Sequence, residues 1–151
     1  MSFYLHELWG NGVLISSVLA WLIAQIAKIF LFAMTHKKWD IERLVGSGGM
    51  PSSHSALVTA LCTSIGILDG MNSEIFALAC VFAAIVMYDA AGVRRAAGEQ
   101  ARILNTLLDE FDRGEGVSPA RLRELLGHTP VEVLAGAVLG IAVSYCYYVI
   151  V

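Results

Sequence analysis

The chain has 151 residues, enough for one domain, but 57% are hydrophobic, only 15% are charged and mean hydropathy is +0.68, the balance of a bilayer protein rather than a water-soluble one. A net charge of −3 without a long basic or acidic tail argues against a nucleic-acid partner. Cys62, Cys80 and Cys146 lie inside apolar runs without metal-ligand spacing, and read as small buried hydrophobes rather than a redox or zinc site.

The first apolar run, Gly12 to Met34, is long enough to cross a hydrocarbon core of about 30 Å. No Lys or Arg precedes it and no small-residue cleavage site follows, so it does not read as a cleaved signal. Trp9 and Trp39 flank it as interfacial anchors. Inside it Gln25 and Lys28, three residues apart, share a helix face; a lysine at that depth either snorkels to the nearer surface or serves a polar site.

A polar connection carrying Lys37, Lys38 and Arg43 then ends in Gly48-Gly49-Met50-Pro51-Ser52-Ser53-His54-Ser55. The glycines allow a tight turn, and Ser52 or Ser53 is a good N-cap. The amides opening the next helix would face an anion in the turn. His54 adds a group that gives and takes a proton near neutral pH. Taken alone, the same stretch is a helix cap with an incidental histidine.

The second run, His54 to about Leu68, is short for a span and closes at Asp69-Gly70-Met71-Asn72. A third, Ile75 to Ala91, leads into Tyr88-Asp89-Ala90-Ala91-Gly92-Val93-Arg94-Arg95, with an acidic residue one turn inside the edge and two arginines at the exit. From Arg95 to Gly127 the chain is polar and helical. Ala101, Leu104, Leu107, Leu108 and Phe111 form an apolar stripe and Ser118-Pro119 a second helix start, which suggests a surface hairpin lying against the membrane or the bundle.

The last run, Val131 to Val151, is introduced by His128-Thr129-Pro130-Val131-Glu132. Thr129 and Glu132 fit a capping box, which alone would account for the glutamate. Gly136 and Gly140 make a GxxxG face, here expected to be exposed and to support a homodimer.

The fold expected is all-α: one integral membrane domain over 1–151, a bundle of about four transmembrane helices (about 12–34, 54–70, 74–92 and 131–151) with connections at 35–53 and 93–130, the second a helical hairpin. Apart from Lys28, every Lys and Arg lies on those two connections, so the positive-inside rule makes both cytoplasmic in a cell-membrane protein and leaves both termini outside. His54, Arg94, Arg95 and His128 then converge on the cytoplasmic face.

Pro51-Ser52-Ser53-His54 resembles the Pro-Ser-Gly-His motif of the type 2 phosphatidic acid phosphatase and vanadium haloperoxidase superfamily. His128-x-x-x-Glu132-Val133-x-x-Gly136 is similar to its last motif, in which a nucleophilic histidine is followed four residues later by an acidic residue. The phrases Ser-Gly-Gly-Met-Pro-Ser-Ser-His-Ser-Ala, Tyr-Asp-Ala-Ala-Gly-Val-Arg-Arg and Gly-His-Thr-Pro-x-Glu-Val resemble its divergent bacterial and plant branch, over most of the chain from Lys28 to Gly140.

The resemblance implies a general acid at His54, a nucleophile at His128 that becomes phosphohistidine, and Glu132, in place of the usual aspartate, holding the His128 ring. Arg94 matches the phosphate arginine, with Gly98 four later. About thirty residues then separate it from His128 where the superfamily's spacing is five, so the motif must be split; the alternative sets Gln100 at the histidine position and leaves no nucleophile. The Lys-x6-Arg-Pro motif is not matched, since Arg43 has no following proline. Lys28 or Lys37 would substitute, Lys28 being favoured because it emerges from the helix bundle.

The residues are coherent chemically as well. A phosphomonoester dianion needs cations on its oxygens, an in-line nucleophile and an acid on the leaving alkoxide. Lys28, Arg43, Arg94, Arg95 and the amides near Ser52 and Ser53 would supply the first, His128 the second and His54 the third. Asp89 and Glu99 either pair with Arg94 and Arg95 or hold Mg2+, in a protein otherwise expected to need no cofactor. The partners expected are the membrane and an amphiphilic phosphate: phosphatidylglycerol phosphate first, undecaprenyl diphosphate second, phosphatidic acid third. The rival reading is a non-catalytic phosphate- or lipid-binding membrane protein that keeps the fold without the reaction.

Overall fold

The computed structural model describes residues 9–37, 49–112 and 127–150. They form five helices and, among the described residues, no strand: α1 (Gly12–His36), α2 (Ser53–Leu68), α3 (Glu74–Ala91), α4 (Val93–Asp112) and α5 (Pro130–Ile150). Four of the starts are made by side-chain caps. Asn11 Oδ1 accepts from the Leu14 amide at 3.0 Å, and Ser73 Oγ accepts from the Phe76 amide at 3.2 Å. Ser52 caps α2, and Thr129 opens α5. Lys37 ends α1 in the left-handed region at φ 52°, its N–H closing on Ala33 O.

Three stretches are long and apolar enough to cross a membrane: Gly12–Met34, Glu74–Leu108 and Pro130–Ile150. By the same measure α2, at 16 residues, is shorter. At about 1.5 Å per residue it is about 24 Å long, less than the hydrocarbon core. The structure thus supplies three stretches of spanning length, the second running from α3 into α4, where the sequence suggests four spans.

Helix α2 is nonetheless the centre of the bundle, packing against α1, α3 and α5, while α1 also meets α5. Cross-helix contacts fix the directions. Ser16 near the start of α1 meets Ser64 near the end of α2, and Cys62 faces Cys80 across α2 and α3, so both pairs are antiparallel. Gly136 and Gly140 of α5 lie on Ser52 and Ala56 of α2, a parallel pair. One end of the bundle therefore gathers the later part of α1, the start of α2, the end of α3 and the start of α5.

The interior is made of small residues. Ala20, Ala24, Ala56 and Ala60 are fully buried with Leu139 and Val143 against them, whereas Phe30, Leu78, Phe82, Ile85 and Leu134 point outward. Lipid tails are as apolar as leucine, so membrane helices gain little by hiding leucine and more by close backbone approach. A chain of hydroxyls crosses this core: Ser144 to Ser64 at 2.8 Å, Ser64 to Ser16 at 2.7 Å, and Ser16 on to Val13 O at 3.1 Å. Because the carbonyl can only accept, each serine donates toward Val13, and three helices are tied by one directed chain.

Two sequence expectations are corrected. The GxxxG face is not exposed: Gly136 and Gly140 are buried, and a Cβ at either would run into the Ser52 or Ala56 carbonyl oxygen of α2. These glycines serve packing inside one chain. Nor are the cysteines uniformly buried; Cys62 and Cys80 are half-buried with sulfurs 3.2 Å apart, and Cys146 is exposed.

Candidate active site

The site grows from the polar start of α2. Gly49, at φ +87°, turns the chain toward Pro51 and Ser52. A Cβ there would stand 3.2 Å from Lys28 Cγ, so a glycine satisfies both the backbone conformation and the lysine stem lying over it. Ser52 is fully buried; its Oγ takes the Ser55 amide at 3.4 Å and the Ser55 hydroxyl at 3.0 Å. Ser53 and the partly buried His54 form the first turn of α2.

Backbone hydrogen bonds join this turn to the rest of the site. The Ser52 N–H donates to Glu132 O at 2.9 Å, and the His128 N–H to Ala90 O at 3.0 Å. The start of α5 is thereby held to the start of α2 on one side and to the end of α3 on the other. His128 is only 2% exposed, and its ring centroid lies 6.3 Å from that of His54, the planes at 63°.

Glu132 has two tasks, and one oxygen performs both. Its Oε2 lies 3.1 Å from His128 Nδ1 and accepts the Thr129 N–H at 3.1 Å, while Thr129 Oγ1 accepts the Glu132 N–H at 3.3 Å. The capping box and the orientation of the histidine, alternatives from the sequence, coexist. With Nδ1 on the carboxylate, any nucleophilic role falls to Nε2.

Lys28 is 3% exposed and Gln25 8%, on the face of α1 turned to the bundle. Lys28 precedes the end of α1 by eight residues, about 12 Å of helix, so the site is inset from that end. Lys37, by contrast, is exposed at the C-cap of α1. Arg43 lies outside the described residues. Arg94 and Arg95 open α4, the first of them four residues beyond Ala90, where the His128 strap is tied.

Asp89 is half-buried near the end of α3. Glu99 meets Arg102 in two hydrogen bonds of 2.7 and 3.2 Å on an exposed face of α4. Among the described residues no three His, Cys, Asp or Glu side chains gather in one place.

Sequence reasoning missed how Ser52 and Glu132 are joined through the backbone; the only signal was that both motifs begin helices. It also missed the tie between His128 and Ala90, which no side-chain pattern announces.

The sequence pattern of the divergent PAP2 family matches residues 9–143, nearly the whole described bundle. The chain belongs to that family. The divergent PAP2 match takes in both histidines, Glu132 and the segment between them. An uncharacterized membrane protein of Bacillus subtilis (strain 168), YuiD, is 42% identical over 149 residues, covering 91% of this chain and 94% of its own length. No solved structure matches the chain.

Proposed function

We propose that this divergent PAP2 protein is a membrane lipid phosphatase that cleaves a phosphomonoester through a phosphohistidine, with its site on the cytoplasmic face of the cell membrane. The observation that carries the reading is the pairing of a buried His128, oriented by Glu132, with a second histidine, His54, at 6.3 Å between ring centroids. Phosphate binding alone does not need two histidines so placed.

In the first half-reaction His128 Nε2 attacks phosphorus, the P–O ester bond breaks, and protonated His54 gives its proton to the leaving alkoxide, releasing the alcohol. In the second, neutral His54 takes a proton from water as that water attacks phosphorus, the N–P bond breaks and inorganic phosphate leaves. Lys28, the amides at the start of α2 and the arginines Arg94 and Arg95 offset the charge on the equatorial oxygens, with Arg43 as a further candidate. Ser52 and Ser53 shape the turn that presents those amides.

The substrate class follows from the setting: a site built from membrane helices and inset from the end of α1 suits an amphiphile. Phosphatidylglycerol phosphate is the substrate we favour, because it is a phosphomonoester made on the cytoplasmic leaflet; undecaprenyl diphosphate and phosphatidic acid follow. Purified protein in vesicles holding each lipid in turn should release inorganic phosphate from at least one, with acid-labile phosphate trapped on His128 during turnover. Binding of the lipid without release from any would leave the non-catalytic lipid-binding protein as the reading.

A further inference from the structure

Helix α4 (Val93–Asp112) packs against α3 alone among the described helices. Around its axis Gly98, Ala101, Asn105 and Leu108 are buried or half-buried. Beside them Val93, Ile103, Leu104 and Leu107 are 59, 50, 48 and 45% exposed, with exposed Ala96 and Ala97 completing an arc that is apolar except for the exposed Gln100. The opposite side carries the exposed Glu99 and Arg102 pair and Thr106. Such a helix needs a cover for its apolar arc.

The surface that precedes it says what the cover is. At about 100° per residue, Leu78, Phe82 and Ile85 fall on one stripe of α3, and Val93, Ile103 and Leu107 on one stripe of α4, with only Gly92 between the two helices. On α3, which belongs to a stretch of spanning length and composition, the stripe is exposed and suited to lipid. The apolar arc of α4 thus continues a lipid-facing surface. The Glu99 and Arg102 pair, on its other side, cannot enter the hydrocarbon core cheaply.

We propose that α4 lies in the membrane interface, with Val93, Ile103, Leu104 and Leu107 in the boundary between headgroups and acyl chains and Glu99, Arg102 and Thr106 in water. The bilayer then holds the segment that leaves the bundle just beyond Ala90, where the His128 backbone returns. This proposal stands on the membrane fold and does not depend on the phosphatase reading.

The test uses the full chain with Cys62, Cys80 and Cys146 replaced by alanine, in vesicles of phosphatidylethanolamine and phosphatidylglycerol. Nitroxides are attached at Ile103→Cys, Leu107→Cys or Thr106→Cys, with Leu104→Cys as substitute for Ile103→Cys or Leu107→Cys where helical circular dichroism is reduced. Collisions with oxygen should dominate at 103 and 107, and collisions with a water-soluble nickel chelate at 106. Equal nickel access at all three would put α4 in water and overturn the proposal. Spin–spin broadening at 103 and 107 that disappears on dilution with unlabelled protein would also overturn it, assigning the arc to a second copy of the chain.

Discussion

The backbone N–H of His128 donates to the carbonyl oxygen of Ala90 at 3.0 Å. Ala90 lies four residues before Arg94, so the backbone at His128 is tied beside the point where α4 begins. Ala90 and His128, far apart in sequence, are thereby set together at one end of the bundle. Gln100, the other residue considered for the histidine position, is exposed on α4.

His128→Ala should therefore lower phosphate release by at least about a thousandfold, as loss of a nucleophile does. Gln100→Ala should stay within about twofold, as substitutions at exposed positions away from a site do. Initial rates on vesicle-borne substrate check both; loss at Gln100 with retention at His128 would reverse the assignment.

Glu132 holds the His128 ring and the Thr129 amide with the same oxygen. Glu132→Gln keeps an acceptor for the amide but removes the charge that stabilises the positive ring formed when Nε2 bonds phosphorus, so the expected loss is on the order of a hundredfold, smaller than for His128→Ala. Glu132→Ala should cost more because it also breaks the capping box, about 1 kcal/mol of stability. Thermal unfolding in detergent separates the two effects: Glu132→Gln should unfold close to the parent.

Lys28 lies over Gly49, which holds φ +87°. Lys28→Met keeps the aliphatic stem and removes the charge, so phosphate affinity should fall while unfolding is little changed, read as a rise in KM together with a lower kcat. Gly49→Ala tests the turn itself: a Cβ at positive φ and close to the lysine stem should cost about 1 kcal/mol or more. If Lys28→Met left the kinetics intact, the buried lysine would be a packing element.

The limits of helices α1, α2, α3 and α5 fall within two residues of apolar runs visible in the sequence, because run length and the caps Asn11, Ser52, Ser73 and Thr129 are local signals. The serine and histidine phrases marked the start of α2 and of α5 for the same reason. Which faces turn inward was not legible. In a soluble protein large apolar residues mark the inside, but here Phe82, Ile85 and Leu134 face out while Ala20, Ala56 and Ser64 are buried. The hydroxyl chain through Ser16, Ser64 and Ser144 left only three isolated serines in apolar runs as its trace. The same inversion misplaced the GxxxG face.

With Gly136 against Ser52 and Gly140 against Ala56, substitution at either should disturb the monomer itself. The obstacle is a backbone carbonyl in each case, which cannot swing aside as a long side chain can. Gly136→Ala is thus expected to cost about 1–3 kcal/mol and to loosen the α2 start that carries His54; Gly140→Leu should be worse. Unfolding temperature in detergent and crosslinking in native membranes should move separately, with stability falling and oligomeric state unaffected. A change in oligomer at unaltered stability would return these glycines to an interface between copies.

Orientation decides which leaflet can supply the substrate. The Asp69–Ser73 turn lies at the opposite end of the bundle from His54 and His128, because α2 and α3 run between the two ends. Every Lys and Arg except Lys28 lies on the two connections at the histidine end, and moving so many cations outward opposes the insertion bias. In a chain cleared of its own cysteines, Asn72→Cys in intact cells should react with a membrane-impermeant thiol reagent, whereas Asp112→Cys should react only after the membrane is opened. The reverse pattern would turn the site outward and remove phosphatidylglycerol phosphate as the favoured substrate, since that lipid is made on the inner leaflet. Equal labelling of both positions in intact cells would mean that Asn72 and Asp112 do not lie on opposite sides of the membrane, and this orientation would fail.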